Sequence, residues 1–220
     1  LIPWRRLIAA ALLVAAGPAF AEGRETRGGP SGRFDFYVLA LSWSPGFCEI
    51  RGDGADRTQC APGKGLRFVV HGLWPQNDAG YPVFCEPGGR FATRAATDSV
   101  GGLFPSTGLA RYQWRKHGTC SGESPTGYFG LVKQALQRVI LPEQMTKANA
   151  TTTAMPLEIE RAFAAANPGL RPEMMSVQCR RGILSEIRIC LSRDLREFRE
   201  CREIDQGGCR AGQISIPAAR

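Results

Sequence analysis

An α+β fold in one domain is what this chain predicts. Strand-like runs stand near both ends, helical runs lie between them, and no internal repeat or alternating strand–helix unit is visible. All eight cysteines follow an N-terminal export signal, so an even set of thiols in an oxidising compartment predicts four disulfides. The chain beyond that signal is about 200 residues, enough for one hydrophobic core.

The export signal has three parts. Arg5 and Arg6 give a positive start, Leu7 to Gly17 is apolar and uncharged, and Ala19-Phe20-Ala21 is an A-x-A cleavage site before polar Glu22-Gly23-Arg24. A spanning helix needs about 20 apolar residues, and this run is shorter. The expected organisation is therefore a signal peptide over 1–21 and a single domain over 22–220, periplasmic or secreted, with no membrane anchor in the mature form. The net charge of +8 falls to +6 once Arg5 and Arg6 leave. That balance suits a polyanionic partner such as nucleic acid or an envelope surface, and equally suits solubility; charge alone does not decide.

Glu22 to Ser31 is polar and glycine-rich and reads as a mobile leader. Phe34 to Trp43 alternates at first and then turns wholly apolar, which predicts a central strand. Arg51 to Lys64 is a Gly/Asp/Pro loop that Cys48 and Cys60 would close. Leu66 to His71, β-branched at Val69 and Val70, predicts a second strand that delivers His71 to its end, where Gly72 and Pro75 force a turn. Asn77 to Gly108 reads as irregular. Leu109 to His117 has helical composition and stops at Gly118. Tyr128 to Leu141 carries Phe129, Val132, Leu136, Val139 and Ile140 at helical spacing, with Thr126 or Gly127 at its start and Pro142 at its end. Glu143 to Ala154 reads as a polar loop whose Asn149-Ala150-Thr151 sequon carries no weight. Pro156 to Ala166 predicts a short helix closed by Asn167-Pro168-Gly169, and Met175 to Arg180 and Ile183 to Ser192 predict strands.

Chemistry concentrates around the two histidines. His71 lies in Phe68-Val69-Val70-His71-Gly72-Leu73-Trp74-Pro75-Gln76, and His117 in Gln113-Trp114-Arg115-Lys116-His117-Gly118-Thr119-Cys120. Imidazole is the side chain whose ordinary pKa suits acid–base work near neutral pH, and two are the least that concerted proton transfer requires. A helix over Leu109 to His117 puts Gln113 and His117 on one face at i and i+4, with Lys116 bordering it. An amide, an ammonium and an imidazole on one patch suit a phosphate whose negative charge grows during substitution. Trp114 points elsewhere and reads as core. Trp74 reads either as a stacking surface for a nucleobase or as a core tryptophan. A lone histidine is usually a satisfied core group, but the density of these two motifs favours chemistry. Close C-x-x-C or H-x-x-x-H pairs are missing from the sequence, so no metal site and no cofactor is expected.

The segments HGLWPQ and WRKHGTC resemble the two active-site segments of the ribonuclease T2 family of secreted, disulfide-bonded RNA endonucleases. Their separation and the intervening Cys85 are similar to the family's, and FDFYVLALSWSPGFC resembles its opening strand and first cysteine. The likeness covers Phe34 to about Cys209, and motifs this long and ordered are specific. It implies a central antiparallel sheet with flanking helices. It implies metal-independent cleavage of single-stranded RNA through a 2′,3′-cyclic phosphate to 3′-phosphate ends, with DNA inert for want of the 2′-hydroxyl. On this likeness His117 is the base and His71 the acid of the first step, although sequence does not fix the order. Lys116 stabilises the phosphorane, Gln113 contacts the phosphate, and Trp74, Gln76 and Tyr112 contact substrate. It implies the pairs Cys48–Cys60, Cys85–Cys120 and Cys190–Cys201 nested within Cys179–Cys209. The chain departs from the family at Gln113, where a glutamate is usual, at Tyr112, where a third histidine is frequent, and at Gln76, where an aspartate is frequent. Those departures bear on rate and base preference.

The expected protein is thus a monomeric endoribonuclease that turns environmental or leaked RNA into nucleotides. One alternative is an RNA-binding or interaction protein on the same fold with weak or lost catalysis. A metal-dependent phosphodiesterase is a further alternative that lacks its ligand cluster in this sequence.

Overall fold

The computed structural model describes residues 25–219 except 53, 55, 87, 88, 90 and 148. The expected signal peptide, 1–21, lies outside the described residues. In chain order the strands are β1 (Glu25–Arg27), β2 (Phe36–Trp43), β3 (Phe68–Gln76), β4 (Tyr81–Val83), β5 (Thr152–Ala154), β6 (Met175–Arg180), β7 (Ile183–Leu191) and β8 (Ile214–Ile216). The α-helices are α1 (Ser44–Arg51), α2 (Arg57–Cys60), α3 (Arg94–Asp98), α4 (Thr107–Lys116), α5 (Pro125–Gln137), α6 (Glu143–Thr146), α7 (Pro156–Ala166) and α8 (Arg202–Gln206). The fold is α+β, as the sequence predicts.

A six-stranded sheet organises the molecule. Its order is β3-β2-β7-β8-β5, with β6 paired to the other side of β7, and β3, β2, β7 and β6 are joined by antiparallel pairings. The two faces of β2 explain why that segment reads as wholly apolar. Tyr37, Leu39, Leu41 and Trp43 point into the main core with Phe129 and Val132 of α5 and Phe163 of α7. Phe36 and Val38 point the other way, into a smaller cluster with Cys190, Cys201 and Ile204, against which Trp74 packs. A strand buried on both faces loses the alternation that marks a half-exposed one.

β3 corrects the predicted turn. The strand does not end at His71 but continues through Gly72 and Pro75 to Gln76. The pairing with β2 slips within it: Leu41 faces Val70 and Ala40 faces Gly72, leaving His71 as the extra residue of a bulge. Glycine and proline here mark the bulge and the strand's last residues rather than a reversal.

Four further segments depart from expectation, and one is the expected Arg51 to Lys64 loop, which holds α2. The leader is anchored from Glu25 onward: β1 pairs in parallel with β4, Ser31 Oγ donates to the Thr119 carbonyl (2.6 Å), and the N–H of the next residue, Gly32, donates to the Cys120 carbonyl (3.0 Å). Asn77 to Gly108 contains β4 and α3, and Glu143 to Ala154 contains α6 and β5. These pieces are short and take their partners from remote sequence, so local composition does not reveal them. The α4 and α5 helices begin earlier than the spacing suggests, capped by Ser106 and Ser124, whose hydroxyls accept from the Leu109 and Gly127 N–H groups.

Four disulfides staple this frame: Cys48–Cys60, Cys85–Cys120, Cys179–Cys209 and Cys190–Cys201, the pairs that the resemblance implies. Cys85–Cys120 spans 35 residues and ties the end of the second motif to the segment after β4. Lost loop-closure entropy in the unfolded chain is worth roughly 2–4 kcal/mol for such a bridge. We expect Cys85→Ser/Cys120→Ser to lower the unfolding free energy by about that amount in urea titrations; an unchanged midpoint would show that the surrounding hydrogen bonds alone fix this corner.

Candidate active site

The bulge decides where His71 points. Successive side chains of a strand alternate, so residues three apart normally face opposite ways. One extra residue reverses the parity, and His71 and Trp74 come to the same face, opposite Val70 and Leu73, which are in the main core. That face opens on a cavity of about 1340 Å³. Gln76, two residues beyond Trp74, lies on its wall.

The second imidazole arrives from α4. Ala110 and Trp114 are in the main core, with Trp114 donating from Nε1 to the Gly89 carbonyl at 2.8 Å, and this fixes the rotation of the helix. Gln113, Lys116 and His117 then line the same cavity, with Tyr112 also on its wall and 39% exposed. His117 is the helix's last, half-turned residue, and its N–H still donates to the Gln113 carbonyl at 2.9 Å. The backbone beyond is stitched down, because Phe84 N–H donates to the Lys116 carbonyl and Cys85 N–H to Thr119 Oγ1.

The glycine after each histidine has a steric cause. A Cβ on Gly72 would lie 2.2 Å from Trp74 Nε1 and 2.4 Å from Gln113 Oε1. A Cβ on Gly118 would lie 2.4 Å from Trp114 and 2.9 Å from Tyr128. Both positions need closeness rather than unusual backbone angles.

Trp74 links the two halves. Its ring is stacked on His117 (centroids 5.2 Å, planes 28° apart), meets the edge of His71 (5.2 Å), and donates from Nε1 to Gln113 Oε1 at 2.8 Å. The sequence leaves Trp74 open between stacking surface and core; the indole is half-buried and packs against both imidazoles. Gln113 is 1% exposed, and its carbonyl is engaged by Trp74. Gln76 is buried as well, and Lys116 makes an ion pair with Glu25 of β1 at 3.7 Å.

The two imidazoles sit in unlike surroundings. His117 is 5% exposed, and its buried Nδ1 has no hydrogen-bond partner among the described residues. Burial first, then the Lys116 ammonium and His71, hold its pKa well below the usual histidine value, so the ring is neutral. His71 is more open, and its Nδ1 lies 2.5 Å from Glu186 Oε2 of β7. Burial pushes the Glu186 carboxyl up, but the hydrogen bond and charge of His71, with Arg188, outweigh it and bring the pKa below the ordinary carboxylate value.

The sequence reading brings His71, Trp74, Gln76, Tyr112, Gln113, Lys116 and His117 together, and all seven line this one cavity. It misses Glu186 and Arg188. Ser185-Glu186-Ile187-Arg188-Ile189 reads as the alternating strand of a half-exposed sheet, and nothing local marks its polar side as a site wall. Among the described residues no cluster of three or more His, Cys, Asp or Glu is placed to hold a metal ion.

The ribonuclease T2 family model matches residues 34–201. A ribonuclease of Aeromonas hydrophila is 35% identical over 181 residues, 80% of each chain. Ribonuclease I of Escherichia coli is 27% identical over 206 residues, 74% of this chain and 77% of that one. Among solved structures, an RNase-related protein from Calystegia sepium superposes with a TM-score of 0.67 at 20% identity, covering 86% of this chain and 99% of its own. Ribonuclease MC1 from the seeds of bitter gourd superposes with a TM-score of 0.62 at 21% identity, covering 82% and 99%.

Neutral burial of His117 has a consequence for stability. Its folded pKa is depressed, so as pH falls through the ordinary histidine value near 6.5 the unfolded chain binds a proton that the folded chain refuses. Stability from this residue is full above that value and falls as pH drops towards the folded pKa. Between about pH 6 and pH 5 we expect the parent to lose up to about 1.4 kcal/mol more than His117→Gln in urea unfolding. Parallel pH slopes for the two proteins would contradict the assignment.

Proposed function

This chain belongs to the ribonuclease T2 family, and we propose that it is an exported endoribonuclease that cleaves single-stranded RNA by two-histidine acid–base catalysis. The observation that carries the reading is the pair of imidazoles in one cavity, one neutral and unpaired among the described residues, the other beside a carboxylate. RNA holds its own nucleophile, so the protein need only move protons and stabilise the charge on phosphorus.

His117 suits the base. Its ring is neutral below the usual histidine pKa and so accepts the 2′-hydroxyl proton without first losing one. The 2′-oxygen attacks phosphorus, the bond to the 5′-oxygen breaks, and His71 protonates that leaving oxygen, giving a 2′,3′-cyclic phosphate. The Glu186 carboxylate, 2.5 Å from His71 Nδ1, engages that nitrogen and leaves Nε2 for the leaving oxygen. In the second step His71 removes a proton from water, the hydroxide adds to phosphorus, the bond from phosphorus to the 2′-oxygen breaks, and His117 returns its proton to that oxygen, leaving a 3′-phosphate. Lys116 carries the charge opposite the developing oxyanions, exchanging Glu25 for phosphate. Trp74, Gln76 and Tyr112 form the wall offered to bases, with Tyr112 the most exposed of them. DNA, lacking the 2′-hydroxyl, is not cleaved.

Export is supported by the Arg5–Ala21 pattern and the four disulfides, which persist in an oxidising compartment such as the periplasm or the exterior. No helix among the described residues is long and apolar enough to cross a membrane.

Incubation with single-stranded RNA in excess chelator tests the reading. His71→Ala and His117→Ala should each lower kcat by about 10²–10⁴-fold, and early products should show the cyclic phosphate by phosphorus NMR. Binding without cleavage would instead favour an interaction protein, and activity lost to chelator and restored by zinc would favour a metal enzyme. Gln113→Glu should remain active, since a carboxylate still accepts from Trp74 Nε1 and adds a charge beside Lys116. Abolished activity in a folded Gln113→Glu protein would contradict the placement of Gln113 at the phosphate.

A further inference from the structure

We propose that Glu186 is a positioning residue for His71, holding the Nδ1 proton so that Nε2 alone faces the scissile phosphodiester, with Arg188 locking the carboxylate. This rests on the reaction proposed above and adds to it a residue from a distant strand.

Glu186 is 7% exposed on β7. A buried carboxylate is heavily penalised unless it is paired and hydrogen-bonded, so its presence beside the cavity needs a partner for each oxygen. Both oxygens have one. Oε2 lies 2.5 Å from His71 Nδ1, and Oε1 accepts from Arg188 Nε at 2.8 Å. Two donors from different strands leave the carboxylate no free rotation. Arg188, two residues on, shares the strand face with Glu186. Its guanidinium sits 5.2 Å from the Trp74 ring centroid, and that ring meets the edge of His71, also at 5.2 Å. Glu186, Arg188 and Trp74 thus close a ring of contacts with the His71 imidazole. Register brings them together: Ser42 of β2 pairs with Glu186, Ala40 pairs with Arg188 on one side and Gly72 on the other, and His71 bulges between.

The chemistry follows from the acceptor. Ionised carboxylate cannot donate, so the shared hydrogen is held at Nδ1. The nitrogen left for proton exchange with substrate is Nε2. In the first step it gives its proton to the leaving oxygen and in the second takes one from water, while Nδ1–H stays on Glu186 throughout. Among the described residues nothing equivalent holds His117, whose Nδ1 has no partner. Glu186 touches no reacting atom; it acts through His71.

With only two histidines in the chain, nitrogen-15 spectra of the imidazoles are assignable by single substitution. In the parent protein at neutral pH, His71 should show a protonated Nδ1 with a downfield proton resonance. In Glu186→Ala that resonance should vanish and the neutral ring should revert towards the Nε2–H form. On RNA, Glu186→Gln should lower kcat by about 10–100-fold with KM within about threefold, and Glu186→Asp should recover part of the loss. Glu186→Gln keeps the side-chain size, so it carries the test should Glu186→Ala fail to fold. A His71 nitrogen pattern unmoved in Glu186→Gln and Glu186→Ala, or unchanged kcat in Glu186→Gln, would overturn the proposal. A parent that cleaves no RNA would overturn the reaction instead, and the nitrogen-15 arm would then decide the Glu186–His71 coupling by itself.

Discussion

The bulge at His71 is the constraint on which the rest depends. Without the extra residue, strand parity would send His71 and Trp74 to opposite faces of β3, one into the helix-covered core and one into the cavity. With it, both face the cavity while Val70 and Leu73 still fill the core. A single register slip therefore converts a buried strand into one that serves packing and chemistry together. Closeness on the cavity side then requires glycine at position 72, because the indole of Trp74 and the amide of Gln113 occupy the space a methyl group would take.

Rigid support surrounds the site on the other side. α4 is oriented by Trp114 in the core, and the turn after His117 is fixed by Cys85–Cys120, by the Lys116 and Thr119 contacts, and by the N-terminal segment that donates to Cys120. Tyr128 of α5 donates to the Leu73 carbonyl at 2.9 Å, joining that helix to the strand that carries the first imidazole. The proposed proton exchange needs both groups held within fractions of an ångström, and these contacts place both imidazoles on rigid elements.

How much is legible in the sequence follows from how local each cause is. The motifs around His71 and His117 are contiguous, so their histidines, lysine, tryptophan and glycines stand out in the chain, and α4, α5, α7, β6 and β7 follow from periodicity and stop signals close at hand. The extent of β3 is hidden because a bulge places Gly and Pro where a turn would have them. β1 reads as a loose leader because its partner, β4, is more than fifty residues away and just as short. Glu186 lies 115 residues from His71 and looks like one polar position in an alternating strand. Only the antiparallel pairing of β7 with β2, and of β2 with β3, shows that its carboxylate meets an imidazole.

The proposed reaction turns on one geometric requirement, a phosphodiester between the His117 imidazole, whose Nδ1 has no partner among the described residues, and the carboxylate-held imidazole of His71. The most direct measurement is a crystal structure of the protein with a dinucleotide whose attacking 2′-hydroxyl is replaced by hydrogen. The expected result is the phosphorus between the two rings, His117 beside the 2′-carbon, His71 Nε2 within hydrogen-bond reach of the 5′-oxygen, and Lys116 Nζ on a non-bridging oxygen. A dinucleotide bound with its phosphate away from both imidazoles, or rings turned from one another around it, would contradict the claim.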